Sequence, residues 1–247
     1  MALSALGLIF YAAVLFGAFT LRSAAGFGAG LIAIPLLAFV LPVSTAVSVA
    51  TVLTTLTSAG QVTREWRHVA WRQFAVIFLY SMAGIGLGLY LIQVLDEDVL
   101  RRCLGIFLIL YAVHALWAAH RARLLPKRWH GVLSAAVGVV GGLLSALFGA
   151  GAGPIYVVYF DILRLERAVF RATMSAVVVL GSAARIAGYG SYGFYGRSTL
   201  ALLGVGLPVV MLGSWLGDRV VGRLSARSFS RLVAAVVLVS GVTFLLR

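Results

Sequence analysis

Apolar positions along this chain come in long unbroken runs. No acid, lysine or arginine falls between Met1 and Leu21, Ser23 and Thr63, Gln73 and Leu95, Cys103 and His120, Gly131 and Phe160, or Ser198 and Gly217. A helix that crosses a bilayer needs about 20 such residues, because each advances it about 1.5 Å through about 30 Å of hydrocarbon. The runs resolve into five segments per half: 3–21, 28–41, 44–63, 72–94 and 100–119, then 131–147, 151–163, 168–188, 198–218 and 228–246. The second segment of each half is short. About 14 residues of helix reach only about 21 Å, so these two read as short or broken helices, tilted or re-entrant.

The same elements recur in the same order. Phe27-Gly28-Ala29-Gly30 with Pro35 returns as Phe148-Gly149-Ala150-Gly151 with Pro154. Ala46-Val47 and Ala50-Thr51 return as Ala168-Val169 and Ala172-Thr173. Gly84, Gly88, Leu95 and Arg102 match Gly213, Gly217, Leu224 and Arg231 at one constant offset. Ordered matches of this kind mark an internal duplication. The expected organisation is an N-terminal transmembrane repeat, 1–120, a basic linker, 121–130, and a C-terminal transmembrane repeat, 131–247.

Charge fixes the expected orientation. The 20 Lys and Arg against 7 Asp and Glu give a net charge of +13, which in a soluble protein would suggest nucleic acid. Here the basic residues stand in short arcs between apolar runs, such as Arg64, Arg67 and Arg72, where topology-setting charge belongs. With 62% apolar residues, 11% charged and a mean hydropathy of +1.06, the polar groups are too few to cover a water-soluble surface. If all ten segments cross, 15 of the 20 basic side chains fall on one side; if the short ones return, the split is 10 and 10. The first arrangement obeys the positive-inside rule and makes the linker cytoplasmic. Five crossings per half then insert the halves in opposite orientations, so the expected fold is an all-α polytopic integral membrane protein of two inverted-topology repeats. Both termini and Asp96, Glu97 and Asp98 are expected outside the cytoplasm. The N-terminus lacks a basic n-region, so its apolar run reads as a retained helix and not a signal peptide.

The chemistry lies in a few interruptions of the apolar runs. Gly26, Gly28 and Gly30, and again Gly149, Gly151 and Gly153, let the backbone leave helical geometry close to a ligand. Two half-helix N-termini meeting at mid-depth, at Gly28, Ala29 and Gly30 and at Gly149, Ala150 and Gly151, would offer amide donors and positive dipole ends to an anion. Tight helix packing is the competing reading of the same glycines. Arg185 has the fork that pairs with an oxyanion, against a reading as a snorkelling cation at a helix end. Arg22 reads first as a cytoplasmic anchor, with an anion-side role just before the first glycine run as the competing reading. Thr57, Ser58 and Gln61 on the third segment and Ser182 on its counterpart are candidate donors, although Ser and Thr also bond their own helix backbone. The aromatic and glycine-rich stretch from Tyr189 to Tyr195 reads as an interfacial belt or as a gate over the site. His114 reads as a helix-helix contact rather than a proton carrier. No carboxylate stands securely in mid-membrane, since Asp161 and Asp218 lie near segment ends. The four histidines and the single Cys103 show no metal-ligand spacing, so neither a metal nor another cofactor is expected.

The paired glycine motifs, in a duplicated chain of this length, resemble the sulfite exporter TauE/SafE family of membrane permeases. The resemblance covers nearly the whole chain. It implies transport of small sulfur-containing anions, such as sulfite, thiosulfate, sulfoacetate or another organosulfonate, in a bacterial-type inner membrane. The expected partners are a small anionic substrate, the lipid bilayer and a second copy of the chain as a homodimer, with no nucleic acid. Two other classes stand beside this one. A membrane-embedded enzyme would need paired acids or a nucleophile with its base, which the pattern lacks, so none is expected. A non-transporting assembly subunit of a membrane complex is the third.

Overall fold

A computed structural model describes residues 4–25, 28–117, 130–149, 153–163, 165–220 and 226–246. Among them there is helix and no strand. The helices are α1 Ala5–Ala25, α2 Ala29–Leu37, α3 Val43–Glu65, α4 Trp71–Val94, α5 Glu97–Trp117, α6 His130–Phe148, α7 Gly153–Ile162, α8 Arg167–Ser191, α9 Arg197–Val220 and α10 Ala226–Leu246. A single 3-10 turn, Trp66–His68, follows α3.

Six of these helices, α1, α3, α4, α6, α8 and α9, are long and apolar enough to cross a membrane. Helices α5 and α10 have 21 residues each. That is about 31 Å, the thickness of the hydrocarbon core. Apolar side chains such as Leu79, Leu110, Met211 and Val239 are exposed on the outer faces, which suits lipid and not water. The chain is a multi-pass membrane protein.

The two short helices are shorter than the apolar pattern suggests. Helix α2 has 9 residues and α7 has 10, so each reaches only about 14–15 Å. Ala38 ends α2 by donating to Ile34 O at 2.9 Å. The chain then turns over 38–41 ahead of Pro42, because a residue before proline is pushed out of helical geometry. Apolar composition continues through this turn, which is why hydropathy alone runs past it.

Packing joins the two halves throughout. Helices α1 and α9 run side by side in the same direction: Tyr11 donates to Leu202 O (2.7 Å), Thr20 to Gly213 O (3.1 Å) and Ser23 to Ser214 O (3.1 Å). Helices α4 and α6 also run together in one direction. Their backbones touch so closely that a Cβ at Gly84 would lie 2.0 Å from Val139 O. A Cβ at Gly217 on α9 would likewise lie 2.5 Å from Thr20 O on α1. Gly84 with Gly88, and Gly213 with Gly217, therefore do the same job, each pair seating its helix on the first helix of the other half. Helix α5 faces α10 in the opposite direction, with Gly105 against Leu245 and Gly241 against Ile109. Between these pairs α3 packs on α8. The amino end of α3 is held by α5, since the Glu97 carboxylate accepts the Val43 N–H. An acid at a helix start meets both the orphan amide and the dipole.

Most of 121–130 lies outside the described residues, as do Gly26, Phe27, Ala150, Gly151 and Leu224.

Candidate functional site

The two glycine turns meet in the middle of the molecule. Gly28 (φ 97°) and Gly149 (φ 65°) both adopt the left-handed conformation, which carries no steric cost for glycine. Gly28 caps the amino end of α2. Gly149 follows the end of α6, and a Cβ there would stand 2.4 Å from Ile34 Cδ1 on α2. This close approach ties the second half's turn to the first half's short helix. Between them lies a cavity of about 40 Å³, lined by Gly28, Gly149 and Gly153, so that α2 and α7 both begin at its wall. A single water needs about 10–15 Å³ on this measure. The space suits an ion of a few heavy atoms.

Two arginines flank the cavity. Arg185 is 5% exposed and Arg22 is 8% exposed, so both guanidinium groups are packed inside the protein. Arg185 sits inside α8 and binds chiefly backbone. Its Nη1 donates to Ser145 O and Gly149 O (both 2.6 Å), its Nε to Gly181 O (3.3 Å) and its Nη2 to Ser182 Oγ (2.5 Å). Ser145 belongs to the last turn of α6, where carbonyls have no partner within their own helix. Tyr189 adds a hydrogen bond to Ala146 O at 2.5 Å. Arg185 and Tyr189 together cap the carboxyl end of α6, where a cation also meets the negative end of the dipole.

Arg22 is held differently. Its Nη1 donates to Thr57 Oγ1 at 2.7 Å and its Nη2 to Ser58 Oγ at 2.6 Å. It lines the small cavity and also a larger hollow of about 630 Å³ between α1, α3 and α9, which Gln61, Arg64 and Trp215 help to form. Among the described residues lining the small cavity there is no carboxylate. Two guanidinium groups at its wall favour an anion in this space over a cation.

The remaining lining is hydroxyl-rich. Thr54 Oγ1 is buried at the cavity without a hydrogen-bond partner. Tyr156 on α7 and Ser81 on α4 join their hydroxyls at 2.9 Å, and both residues border the cavity. On the other side, the turn after α8 covers Arg185. Tyr189 is fully buried with the Phe194 ring 5.8 Å from its own. The Tyr195 hydroxyl is buried without a partner, and burial pushes this phenol up to about 12.

The candidates drawn from the sequence thus separate into groups. Gly28, Ser58, Gly149 and Arg185 line the small cavity. Thr57 and Gln61 face the larger hollow. Ser182 stands behind Arg185, and Ala29 and Gly30 are buried in the first turn of α2. Ala150 and Gly151 lie outside the described residues. The belt reading fails for Tyr189, and the anchor reading fails for Arg22. His114 lies on the exposed face of α5. Ser81 and Tyr156 escaped the sequence reading. Ser81 had a signal, being the one hydroxyl between Phe74 and Ile92 other than the tyrosine phenols.

The family model described as Sulfite exporter TauE/SafE matches residues 10–244 of this sequence. The chain belongs to the TauE/SafE family. It is accordingly a membrane transporter by family. A protein from Comamonas testosteroni named "Probable inner membrane transporter protein TsaS" is 29% identical over 181 residues, covering 72% of this chain and 74% of that one. A protein from Cupriavidus necator named "Probable sulfite/organosulfonate exporter TauE" is 26% identical over 230 residues, covering 91% of this chain and 88% of its own. No solved structure gives a match. The glycine turns, both arginines and the hydroxyls of this TauE/SafE chain all fall within the matched span.

Proposed function

We propose that this chain is a secondary transporter or facilitator for a small sulfur-containing oxyanion, in a bacterial-type inner membrane, with the cavity between the two glycine turns as its binding site. The observation that carries this is one small hollow where two short helices begin and two buried arginines converge, with no carboxylate among its described lining residues. Amide donors, dipole ends and guanidinium groups each favour an anion, and a dry site strengthens all of them. A volume of about 40 Å³ favours a compact ion such as sulfite over a sulfonate with a long organic tail. The name of the Cupriavidus necator relative, a probable sulfite/organosulfonate exporter, points to the same chemistry.

The inverted-repeat organisation belongs to the same proposal. Exchanging the halves turns the α1·α9 pair into α6·α4, and both pairs run in the same direction. It turns α5·α10 into itself, and those two helices run oppositely. A two-fold axis in the membrane plane accounts for both facts, as in other transporters with inverted repeats. The basic arcs then put the larger hollow on the cytoplasmic side and both termini outside.

The test is flux of labelled sulfite in proteoliposomes, compared with thiosulfate, sulfate and acetate. Sulfite and thiosulfate are expected to move well above empty vesicles, and acetate is not. Absence of flux for every sulfur oxyanion overturns the proposal. Thermal stabilisation of the purified protein by sulfite supplies an independent reading, because a ligand stabilises the state that binds it.

A further inference from the structure

Helix α7 carries two buried tyrosines one turn apart, and each phenol meets a serine. Tyr156 joins Ser81 of α4 at 2.9 Å, and Tyr159 joins Ser134 of α6 at 2.7 Å. The first pair borders the small cavity, and the second stands outside its described lining. Tyr156 reaches Ser81 across Gly141 of α6, where a Cβ would lie 2.7 Å from the ring atoms Cε1 and Cζ and 2.8 Å from the hydroxyl. So close a fit fixes where the phenol oxygen stands, because the ring cannot shift toward α6.

These hydroxyls carry one proton more than they use among themselves. Each Ser or Tyr hydroxyl brings one proton and can accept others. The Tyr156 phenol also meets the Ser145 hydroxyl, and Ser81, Ser145 and Tyr156 all line the cavity. Three protons serve two links, so one O–H is left for an acceptor outside the trio. No carboxylate stands among the described lining residues to take it. Arg185, which acts on the same phenol electrostatically, is a donor only. An oxyanion in the cavity supplies the missing acceptor.

We propose that Tyr156 is a direct ligand of the transported anion, donating its phenolic proton to one anion oxygen, with Ser81 as the positioning residue that holds the phenol at the wall. Ser81 and Ser145 donate to the phenol oxygen, and a phenol that accepts two hydrogen bonds donates its own more strongly. The donor is neutral, so it rewards an acceptor oxygen at one place in the cavity without adding charge to the site. This rests on the anion-transport reading and adds to it a binding residue that the two arginines do not supply.

The test is the half-saturating sulfite concentration of the full-length protein, read from thermal stabilisation and from flux in proteoliposomes. Tyr156→Phe keeps the ring in place and removes only the O–H. It is expected to raise that concentration roughly tenfold or more, for one lost hydrogen bond to a charged group. Tyr159→Phe makes the same change on the same helix away from the cavity, and is expected to leave the concentration unchanged. A phenol that only tied α7 to its neighbours would lower Tm in either variant without moving the half-saturating concentration. Gly141→Ala supplies a second approach, because its Cβ displaces the phenol from Ser81 without itself entering the cavity lining. It is expected to raise the concentration in the unsubstituted protein and to add nothing further in Tyr156→Phe, since the two changes act through one hydroxyl. Should Gly141→Ala not fold, Ser81→Ala is expected to show the same pattern with a smaller rise. Sulfite binding in the unsubstituted protein with an unchanged half-saturating concentration in Tyr156→Phe overturns the ligand role alone. An equal rise in Tyr159→Phe, or an effect of Gly141→Ala that persists in full in Tyr156→Phe, also overturns it. No sulfite binding or flux in the unsubstituted protein overturns the transport reading, and the role of Tyr156 falls with it.

Discussion

Arg22 and Arg185 carry the same charge into the same cavity from its two sides, and the protein treats them in opposite ways. Arg185 is fastened mainly to backbone: the end of α6 through Ser145 and Gly149, and its own helix through Gly181, with Ser182 as the one side-chain partner. The Ser145 and Gly149 carbonyls belong to the end of α6, which has few other ways to satisfy them, so the guanidinium is part of the fold. Arg22 is fastened to two hydroxyls that stand at the boundary between two hollows. A hydroxyl can rotate and a carbonyl at a packed helix end cannot. The difference teaches that a buried cation in a transporter has to be judged by what holds it: carbonyls at a helix end are fixed by the packing of that helix, and a side-chain hydroxyl can turn about its own bond.

The largest effect that would break this comparison is at Arg185. Arg185→Ala strands the two buried carbonyls at the end of α6 and the Ser182 hydroxyl, each costing about 1–3 kcal/mol. The expected outcome is loss of folded, monodisperse protein by size-exclusion chromatography, and Arg185→Lys is expected to recover little, because an ammonium lacks the fork. A stable Arg185→Ala protein with a normal melting curve would remove the distinction. Next comes Gly149→Ala, which puts a Cβ on a left-handed residue and into Ile34. A loss of about 2 kcal/mol is expected, read as a Tm lower by roughly 4–8 °C. Combining it with Ile34→Ala is expected to relieve the overlap and leave the backbone strain. The two serines that receive the guanidinium groups sharpen the comparison further. Ser182→Ala is expected to lower Tm by a few degrees, for a lost charged hydrogen bond of about 1.5–3 kcal/mol. Ser58→Ala is expected to shift Tm less and to change the KM for sulfite more. The smallest effect concerns pH. With the Tyr195 phenol pushed up to about 12 from 10, the unfolded chain releases this proton first as pH rises. Stability is therefore expected to fall above pH 10, and the fall to be slightly shallower in Tyr195→Phe.

Much of this site was visible in the residues before any coordinates. The glycine motifs marked both turns, at Gly28 and Gly149. Gly84 with Gly88 and Gly213 with Gly217 matched in sequence and do matching work in the packing. What escaped was mostly a matter of direction. Arg22 at the edge of an apolar run reads as an interfacial cation, because sequence gives its depth along α1 and not the neighbour it faces. Ser182 and Ser58 look equivalent as lone hydroxyls on paired helices, yet one stands behind Arg185 and the other on the cavity wall. Tyr156 reads as one more aromatic near a helix start until the missing side chain of Gly141 is seen to admit its ring beside Ser81.

By itself the sequence determined that this chain is a helical membrane protein with two glycine breaks in its apolar runs, because hydropathy runs and backbone freedom are properties of single residues and their order. The tertiary structure alone decided which polar groups share a space. A guanidinium in lipid must find partners, and whether these are helix-end carbonyls or hydroxyls beside a cavity depends on how α3, α6 and α8 cross. No local pattern in the chain records that crossing.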